Sequence, residues 1–373
     1  MLPETPKVPY CQPHRPNNGL LSFPDNTSKA LLSPVACDEC RTSESLSAYS
    51  ELRRRVVAAN LLAKQPSYYL AQMILVLCVF VLCLTLIPFA TSLFSEVCAA
   101  CLLALVSVHA GFIVHDAGHS QICRSPSTNN LIGMLCANFL LGFSYSCWID
   151  THNRHHKSPN QCGVDPDTEF PLLAFSREQA LEKIGVARLV VKYQAYLFLP
   201  LLLLEAISLK ADGFRFLVTR RPKSAPAEII CLAVHYLLWG TFLFYFLGAS
   251  RAIIFTIIYH ALFGLNLGII FVTNHKGMPL LSKQSNEDFL RRQVITARNL
   301  KVNWLVETCF GGLTCQIEHH LFPAIPRNKL RQAQKVIRAY CEAYDIPYYE
   351  TGLLQSYCEV LTHLDRVSAI LRR

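Results

Sequence analysis

Charge is scarce in this chain of 373 residues. Only 16% of the residues are Asp, Glu, Lys or Arg, whereas 52% are hydrophobic; an ordinary soluble domain is about 25% charged. The net charge of +9 is not gathered into a basic stripe interleaved with aromatic residues, which a nucleic-acid-binding surface requires. The composition therefore predicts a membrane protein that binds no nucleic acid and whose excess Lys and Arg meet anionic lipid headgroups.

Two further features are missing. A signal peptide has a charged start, then an apolar run and a cleavage site of small residues, and this pattern is missing here. We therefore expect no signal peptide, and we expect the first membrane helix to direct insertion. The cysteine pair in CDEC (37–40) has no second pair nearby. Zinc binding and a reduced thiol pair in a loose tail are therefore the alternatives for this motif.

Four apolar runs approach the roughly 20 residues that a membrane-spanning helix needs. They cover residues 69–94, 97–114, 228–248 and 252–274. A tight turn joins each pair, and the two turns together contain one Lys or Arg, Arg251. By the positive-inside rule, this asymmetry places both termini and the long segment 115–227 in the cytosol.

The predicted fold is an all-α integral membrane protein with four transmembrane helices in two hairpins. Residues 1–46 predict a disordered cytosolic tail because they are rich in Pro, Ser and Asn. Residues 47–373 form one membrane unit, in which 115–227 and 275–373 build a cytosolic helical cap. Within this unit, 47–65 predicts a basic amphipathic helix on the membrane surface, and two shorter apolar runs, 131–147 and 196–209, predict interfacial or half-buried helices.

Histidines cluster at one predicted membrane level, at the cytosolic ends of the predicted helices. HDAGH (115–119) places two histidines four residues apart, and HNRHH (152–156) places three at i, i+3 and i+4. Each spacing puts the imidazoles on one face of a helix. QIEHH (316–320) repeats the second pattern with glutamine first, and His275 follows the fourth apolar run.

This set of imidazoles predicts metal binding, although core or surface histidines remain the alternative for HDAGH taken alone. Neutral imidazole is the common ligand of Zn, Cu and Fe. One zinc needs only three or four ligands, so seven or eight histidines indicate two metals. A ligand set made almost entirely of nitrogen atoms suits iron better than magnesium or calcium, which prefer oxygen ligands. His109, His235 and His260 are predicted as polar residues inside the bundle, and His14 and His363 as solvated residues without partners.

HDAGH, HNRHH and QIEHHLFP, in this order and around two pairs of apolar runs, resemble the three histidine boxes of membrane fatty acid desaturases. The resemblance runs from about 68 to 350 and includes the segments 152–170, 293–299 and 311–327. The glutamine-first third box is similar to that of the front-end desaturases, which act on the carboxyl side of an existing double bond, and to that of their bacterial and sphingolipid relatives.

The resemblance implies a mushroom-shaped fold, four membrane helices under a cytosolic cap that holds two iron ions. O₂ would be the co-substrate, and the fatty acyl chain would gain a cis double bond. The implied iron ligands are His115, His119, His152, His155, His156, His275, His319 and His320. Gln316 stands where other branches have histidine, and its amide oxygen would bind iron directly or through water.

Neutral imidazoles leave the iron charge uncompensated, so we expect nearby carboxylates to orient the rings. The candidates are Asp116, Asp150, Asp165, Asp167, Glu169 and Glu318. For the DPDTE segment (165–169) a turn followed by a helix cap is the alternative. Trp148 would line the acyl tunnel or anchor the chain at the membrane interface.

Several front-end desaturases carry a fused haem domain marked by HPGG, and no HPGG occurs here. We therefore expect electrons from a separate carrier, a cytochrome b-type haem protein or a ferredoxin with its reductase. The expected location is the endoplasmic reticulum in a eukaryote or the inner membrane in a bacterium, with the active site facing the cytosol. The alternatives are a di-iron hydroxylase or sphingolipid desaturase, and a non-catalytic receptor that binds one zinc.

Overall fold

The computed structural model describes residues 38–372, with side chains from residue 48 onward. The structure is built almost entirely of helices. In chain order they are α1 (Asp38–Ala58), α2 (Pro66–Leu86), α3 (Leu93–Gly118), α4 (Pro126–Met134), α5 (Tyr145–Lys157), α6 (Arg177–Glu182), α7 (Gly185–Lys192), α8 (Gln194–Leu202), α9 (Glu205–Arg220), α10 (Ala225–His275), α11 (Phe289–Ile295), α12 (Trp304–Cys309), α13 (Gln316–Leu321), α14 (Leu330–Ala343) and α15 (Leu353–Ser368). Residues 1–37, which hold most of the predicted tail and Cys37 of CDEC, lie outside the described residues.

Three of the described helices are long and apolar enough to cross a membrane. They are Pro66–Phe89, in which a 3₁₀ turn extends α2, then α3, and α10. Helix α3 lies at the centre, since it packs against both α2 and α10. Its Leu103, Ala104 and Val108 are buried in the largest apolar cluster of the molecule. The apolar runs at 69–94 and 97–114 thus correspond to helices that begin about one turn earlier than predicted.

Helix α10 is folded back on itself at Gly248. Its 51 residues are interrupted there by a non-helical conformation, φ 75° and ψ 169°. The ring centroids of Trp239 and Tyr259 lie 5.2 Å apart, whereas an unbroken helix would separate these residues by about 30 Å. The two arms therefore pack against each other, and the break lies where the sequence predicts a turn between two apolar runs.

The segment 126–157 forms a sharply bent pair of helices. Helix α4 continues into a π-helical turn, Leu135–Leu141, and the chain then bends by 117° into α5. Gly142 makes the bend possible because its φ of 74° is a conformation that favours glycine. Asn138 donates to Glu228 at 2.9 Å and ties the bend to the start of α10. The bend directs the histidine-bearing helix α5 back towards the end of α3.

A second apolar cluster lies beside the bundle and is formed by α1, α11, α13 and α14. Leu52 and Val56 of α1 are fully buried there with Val294 and Ile337. Helix α1 begins at Asp38, inside the predicted tail, and it packs on protein. The prediction of a membrane-surface helix over 47–65 is therefore wrong, because its apolar face is covered by α11 and α14.

A short parallel pair of strands joins the two C-terminal segments. Strand β1 (Asn299–Lys301) pairs with β2 (Glu350–Gly352), and Leu300 lies opposite Thr351. This pairing fixes the segment that follows α11 beside α13, which carries the last two clustered histidines.

Candidate metal centre

Four helices carry the clustered histidines to one place. His115 lies in the last turn of α3 and His119 caps its end. Helix α5 carries three histidines, α10 ends at His275, and α13 carries His319 and His320. Gly118 lets α3 approach α5, because a Cβ there would lie 2.8 Å from both Ile149 and Trp148. All eight predicted histidines are brought together, from segments that span about 200 residues of sequence.

The first group contains His115, His119, His152 and His319. One nitrogen from each ring lies within 4.8 Å of all the others. The Nε2 atoms of His115 and His319 are 3.0 Å apart, and those of His119 and His152 are 2.9 Å apart. This geometry presents four ring nitrogens to a single point.

The second group contains His155, His275 and His320, whose nitrogens also lie within 4.8 Å of one another. His156 stands between the groups. Its Nε2 is 3.1 Å from Nε2 of His319, and its ring stacks on that of His320 with centroids 4.1 Å apart. The eight imidazoles thus form two adjoining groups.

The outer nitrogens of several rings are held by hydrogen-bond acceptors. Nδ1 of His115 donates to Asp116 at 3.0 Å, and Nδ1 of His155 donates to Asp165 at 3.0 Å. Nδ1 of His275 donates to the carbonyl of Thr296 at 3.0 Å. When Nδ1 carries the proton, Nε2 is left with a lone pair. The lone pairs of these rings therefore point inward.

Convergent lone pairs in a buried place need a cation. Nε2 of His320 is buried and has no hydrogen-bond partner among the described residues. Burial lowers the pKa of His119, His319 and His320 well below the ordinary value. These rings are therefore neutral at neutral pH, which is the form that binds metal. The residues fit two metal ions with nitrogen ligands.

Three of the six candidate carboxylates lie beside imidazoles. Asp116 and Asp165 accept the bonds described above, and Asp167 lies 3.5 Å from Nδ1 of His155. Burial raises the pKa of Asp165, but the attraction of His155 and Lys276 and several hydrogen bonds outweigh it and lower the pKa. Asp165 is therefore ionised and fixes the ring of His155.

The other three carboxylates have different partners. Asp150 pairs with Arg154 at 3.2 Å on the outer side of α5. Glu169 accepts from the backbone N–H of Gly163 at 3.0 Å. Glu318 is fully buried and accepts from Asn299 and Tyr348, each at 2.7 Å. None of these three carboxylates contacts an imidazole. Although they are close to the histidines in sequence, they do not orient a histidine ring.

Gln316 lies at the edge of the second group. Its Nε2 donates to Nε2 of His275 at 3.0 Å, and its Oε1 accepts from Asn274 at 3.2 Å. In this orientation the amide nitrogen faces Nε2 of His275, and the amide oxygen is turned towards Asn274.

Trp148 stacks on the ring of His152, with centroids 4.5 Å apart and planes 19° from parallel. The indole thus forms a wall beside the first group. His363, expected to be solvated, is instead partly buried, and its Nε2 donates to the carbonyl of Phe175 at 3.0 Å. That prediction is wrong because α15 packs this face against the segment before α6.

Several residues that support the rings carry no signal of their own in the sequence. Gln293 accepts from Nδ1 of His320 at 2.9 Å and donates to the carbonyl of His156 at 2.8 Å. Arg327 forms an ion pair with Asp116 at 2.9 Å. The segment 293–299 contributes to the resemblance, but only the fold reveals which of its side chains meets a ring.

The apolar helices and the eight clustered imidazoles, six of them buried and two half-buried, define a membrane protein with a histidine-rich metal-binding site. A sequence profile described as fatty acid desaturase matches residues 92–352. The chain belongs to the fatty acid desaturase family, which confirms the resemblance seen in the histidine boxes.

Individual relatives support the same family. The chain is similar to the acyl-lipid (9-3)-desaturase of Physcomitrium patens, 27% identical over 88% of this chain and 64% of the relative. It is 30% identical to the Delta(8)-fatty-acid desaturase of Euglena gracilis over 67% of this chain and 62% of that protein. The Delta(6)-fatty-acid desaturase of Caenorhabditis elegans is 28% identical over 72% of this chain and 64% of that protein. The chain therefore spans less than two thirds of the length of these relatives.

Proposed function

We propose that this protein is an O₂-dependent desaturase that inserts a cis double bond into a fatty acyl chain, on the carboxyl side of an existing double bond. The observation that carries the proposal is the pair of imidazole groups whose ring nitrogens converge, while acceptors hold Nδ1 of His115, His155, His275 and His320. The relatives named for Delta(6) and Delta(8) fatty acids and the glutamine at 316 favour the front-end reaction.

Removing hydrogen from an unactivated methylene is beyond acid–base catalysis, because its protons are not acidic. Two iron ions bound by the imidazoles would supply the oxidising chemistry. In the overall reaction one C–H bond breaks on each of two adjacent carbons, and a C=C bond forms. O₂ takes up four electrons, two from the acyl chain and two from a donor, and with the two hydrogens of the chain and two protons from solvent it leaves as two molecules of water.

The chain's own residues orient ligands and exclude solvent. Asp116, Asp165 and Gln293 fix the rings of His115, His155 and His320, so that the nitrogen positions do not have to reorganise during turnover. His319 and His320 are each only 1% exposed. Trp148 forms one wall of the site, where it would hold the acyl chain beside the first group.

The topology belongs to the same proposal. We infer four membrane spans in two hairpins, because the two arms of α10 pack against each other as α2 and α3 do. The helices around the histidines then form a cap that faces the cytosol, at the endoplasmic reticulum or a bacterial inner membrane. A separate haem protein or ferredoxin would deliver the electrons there.

Metal analysis and product analysis test the proposal together. The full chain is expressed in a host that lacks such products and is fed defined fatty acids, and new double bonds are located by mass spectrometry. We expect about two irons per chain and a new cis double bond. One zinc without iron would contradict the metal site, and a hydroxylated product without a new double bond would contradict the desaturase reaction.

A ligand substitution refines this test. His155→Ala should abolish product formation and lower the iron content, with the helical content of the purified protein unchanged. His363→Gln serves as the matched control, because it changes a histidine outside the two groups. Full activity of the His155→Ala variant would count against the ligand assignment.

A further inference from the structure

A cavity of about 640 Å³ opens on the side of α5 that faces away from the imidazoles. Residues of α4, α5 and α9, together with the start of α10, line it. Its volume lies within the range of about 300–1,000 Å³ that is typical of small-molecule sites. Neither the metal centre nor the reaction proposed above uses this cavity.

Charges of both signs line the cavity. Arg154 and Lys157 project from α5, and the ammonium of Lys157 has no hydrogen bond or ion pair with any described residue. Arg154 is paired with Asp150 at 3.2 Å, but both side chains are about half exposed, and such a pair contributes little. Both cations are therefore available to an anionic group.

The second carboxylate of the cavity is held in place. Glu228 accepts from Ser144 at 2.7 Å, from Ser224 at 2.8 Å and from Asn138 at 2.9 Å. Glu228 is only 1% exposed, so its negative charge acts on the cavity from below the surface, and Asp150 is the carboxylate that is open to a ligand. A ligand that carries one phosphate and one ammonium matches this distribution better than a ligand with several phosphates.

The surroundings of the cavity belong to the lipid-facing surface. Leu131 of α4, Val218 of α9 and Ile229 of α10 are exposed by 51%, 65% and 51% of their surface. Exposed apolar side chains on three of the helices that form the cavity indicate that its mouth borders the bilayer. A ligand would therefore enter sideways from the membrane.

The cavity also lies close to the metal centre. Ile149 lines the cavity, and its Cδ1 reaches to 2.8 Å from the position that a Cβ on Gly118 would take. Gly118 precedes His119, and the neighbouring Trp148 stacks on His152. Only the width of α5, about 10 Å, separates the polar cavity from the histidines, so a headgroup held here would place the carboxyl end of its acyl chain near them.

We propose that this cavity binds the headgroup of a zwitterionic phospholipid, with the phosphate at Arg154 and Lys157 and the ammonium towards Asp150 and Glu228. This inference rests on the proposed function, since it makes the phospholipid-bound acyl chain the substrate. It adds a binding site that lies outside the two imidazole groups.

Binding is tested on the full chain, purified and stripped of lipid, by native mass spectrometry with added lipids. The ligands to be compared are phosphatidylcholine, phosphatidylglycerol, oleoyl-coenzyme A and oleate.

The wild type should retain phosphatidylcholine most tightly. The double variant Arg154→Gln, Lys157→Gln should weaken that retention about tenfold, and Asp150→Asn should shift the preference towards phosphatidylglycerol. Lys335→Gln is the control: it removes one positive charge from an exposed site on α14, away from the cavity, and should bind as the wild type does.

Two results would overturn the inference. One is unchanged retention of phosphatidylcholine in the double variant. The other is tighter binding of oleoyl-coenzyme A or phosphatidylglycerol than of phosphatidylcholine by the wild type. Because binding is read without turnover, absence of any desaturated product would defeat the proposed function and leave the binding result standing.

Discussion

Gln293 shows what a single side chain contributes to this site. It lies behind the ring of His320 in the second group and also holds the backbone of His156, which stands between the two groups. The clustering of the histidines in the three boxes could be predicted from the sequence, since spacings of three and four place them on one helical face. Gln293 could not be predicted, because its position depends on the packing of α11 against α13, which no local pattern records.

Replacing Gln293 by leucine should impair the metal centre and leave the fold intact. The leucine has a similar volume, but it can neither accept from His320 nor donate to His156. Loss of such a supporting contact typically costs about 10- to 100-fold in metal affinity or activity. Iron content and product formation measure the effect. Gln334→Leu, a half-buried glutamine on α14, should retain both; equal losses in the two variants would contradict the orienting role.

At the scale of elements, the all-helical class and the apolar runs could be predicted from the sequence. The positions at which helices bend, and the elements that pack on their apolar faces, could not. The turn near residue 248 was expected, but a single non-helical residue suffices there, so the two arms join almost without a loop. Helix α1 was misplaced because an amphipathic pattern does not reveal whether its apolar face meets lipid or protein. The bend at Gly142 likewise depends on a contact with Glu228 from a distant helix.

Gly248→Ala should destabilise the folded-back helix. A Cβ at this position would meet nothing within 4 Å, so the cost is purely that of the backbone conformation, about 1–3 kcal/mol. Gly240→Ala is the control on the same arm, since it is also in open space and has an ordinary helical conformation. It should be neutral or stabilise by about 0.5–1 kcal/mol. Thermal unfolding in detergent compares the two, and equal midpoints would exclude strain at Gly248.

The packing of α15 should make stability depend on pH. Burial lowers the pKa of His363, although the Phe175 carbonyl opposes this. Because the unfolded chain takes up a proton near pH 6.5 and the folded chain does so only at lower pH, this histidine costs stability as the pH falls below about 6.5. His363→Gln keeps a donor without titrating. Its unfolding midpoint should fall less than that of the wild type between pH 7 and pH 5.5; parallel curves would refute the prediction.

For the whole molecule, the distribution of Lys and Arg predicts which side each segment faces. The two hairpin tips, near Ser92 and near Gly248, should lie across the membrane from the histidines. Glycosylation acceptor sequences with flexible spacers, inserted at each tip, should be modified in microsomes, whereas one inserted after Ser285 should not. Modification at Ser285, or protection of either tip, would contradict the four-span arrangement.

The distance of 3.0 Å between His115 and His319 joins residues that are 204 positions apart in the chain. At about 5–20 residues per second, a ribosome needs roughly 10–40 s to make the intervening segment. His115 is therefore synthesised well before its partner His319, and the two rings come together only after α13 has been made and has packed. We therefore expect the proposed metal site to be completed late in synthesis, and a chain that stops after α10 lacks His319 and His320 and should bind metal poorly.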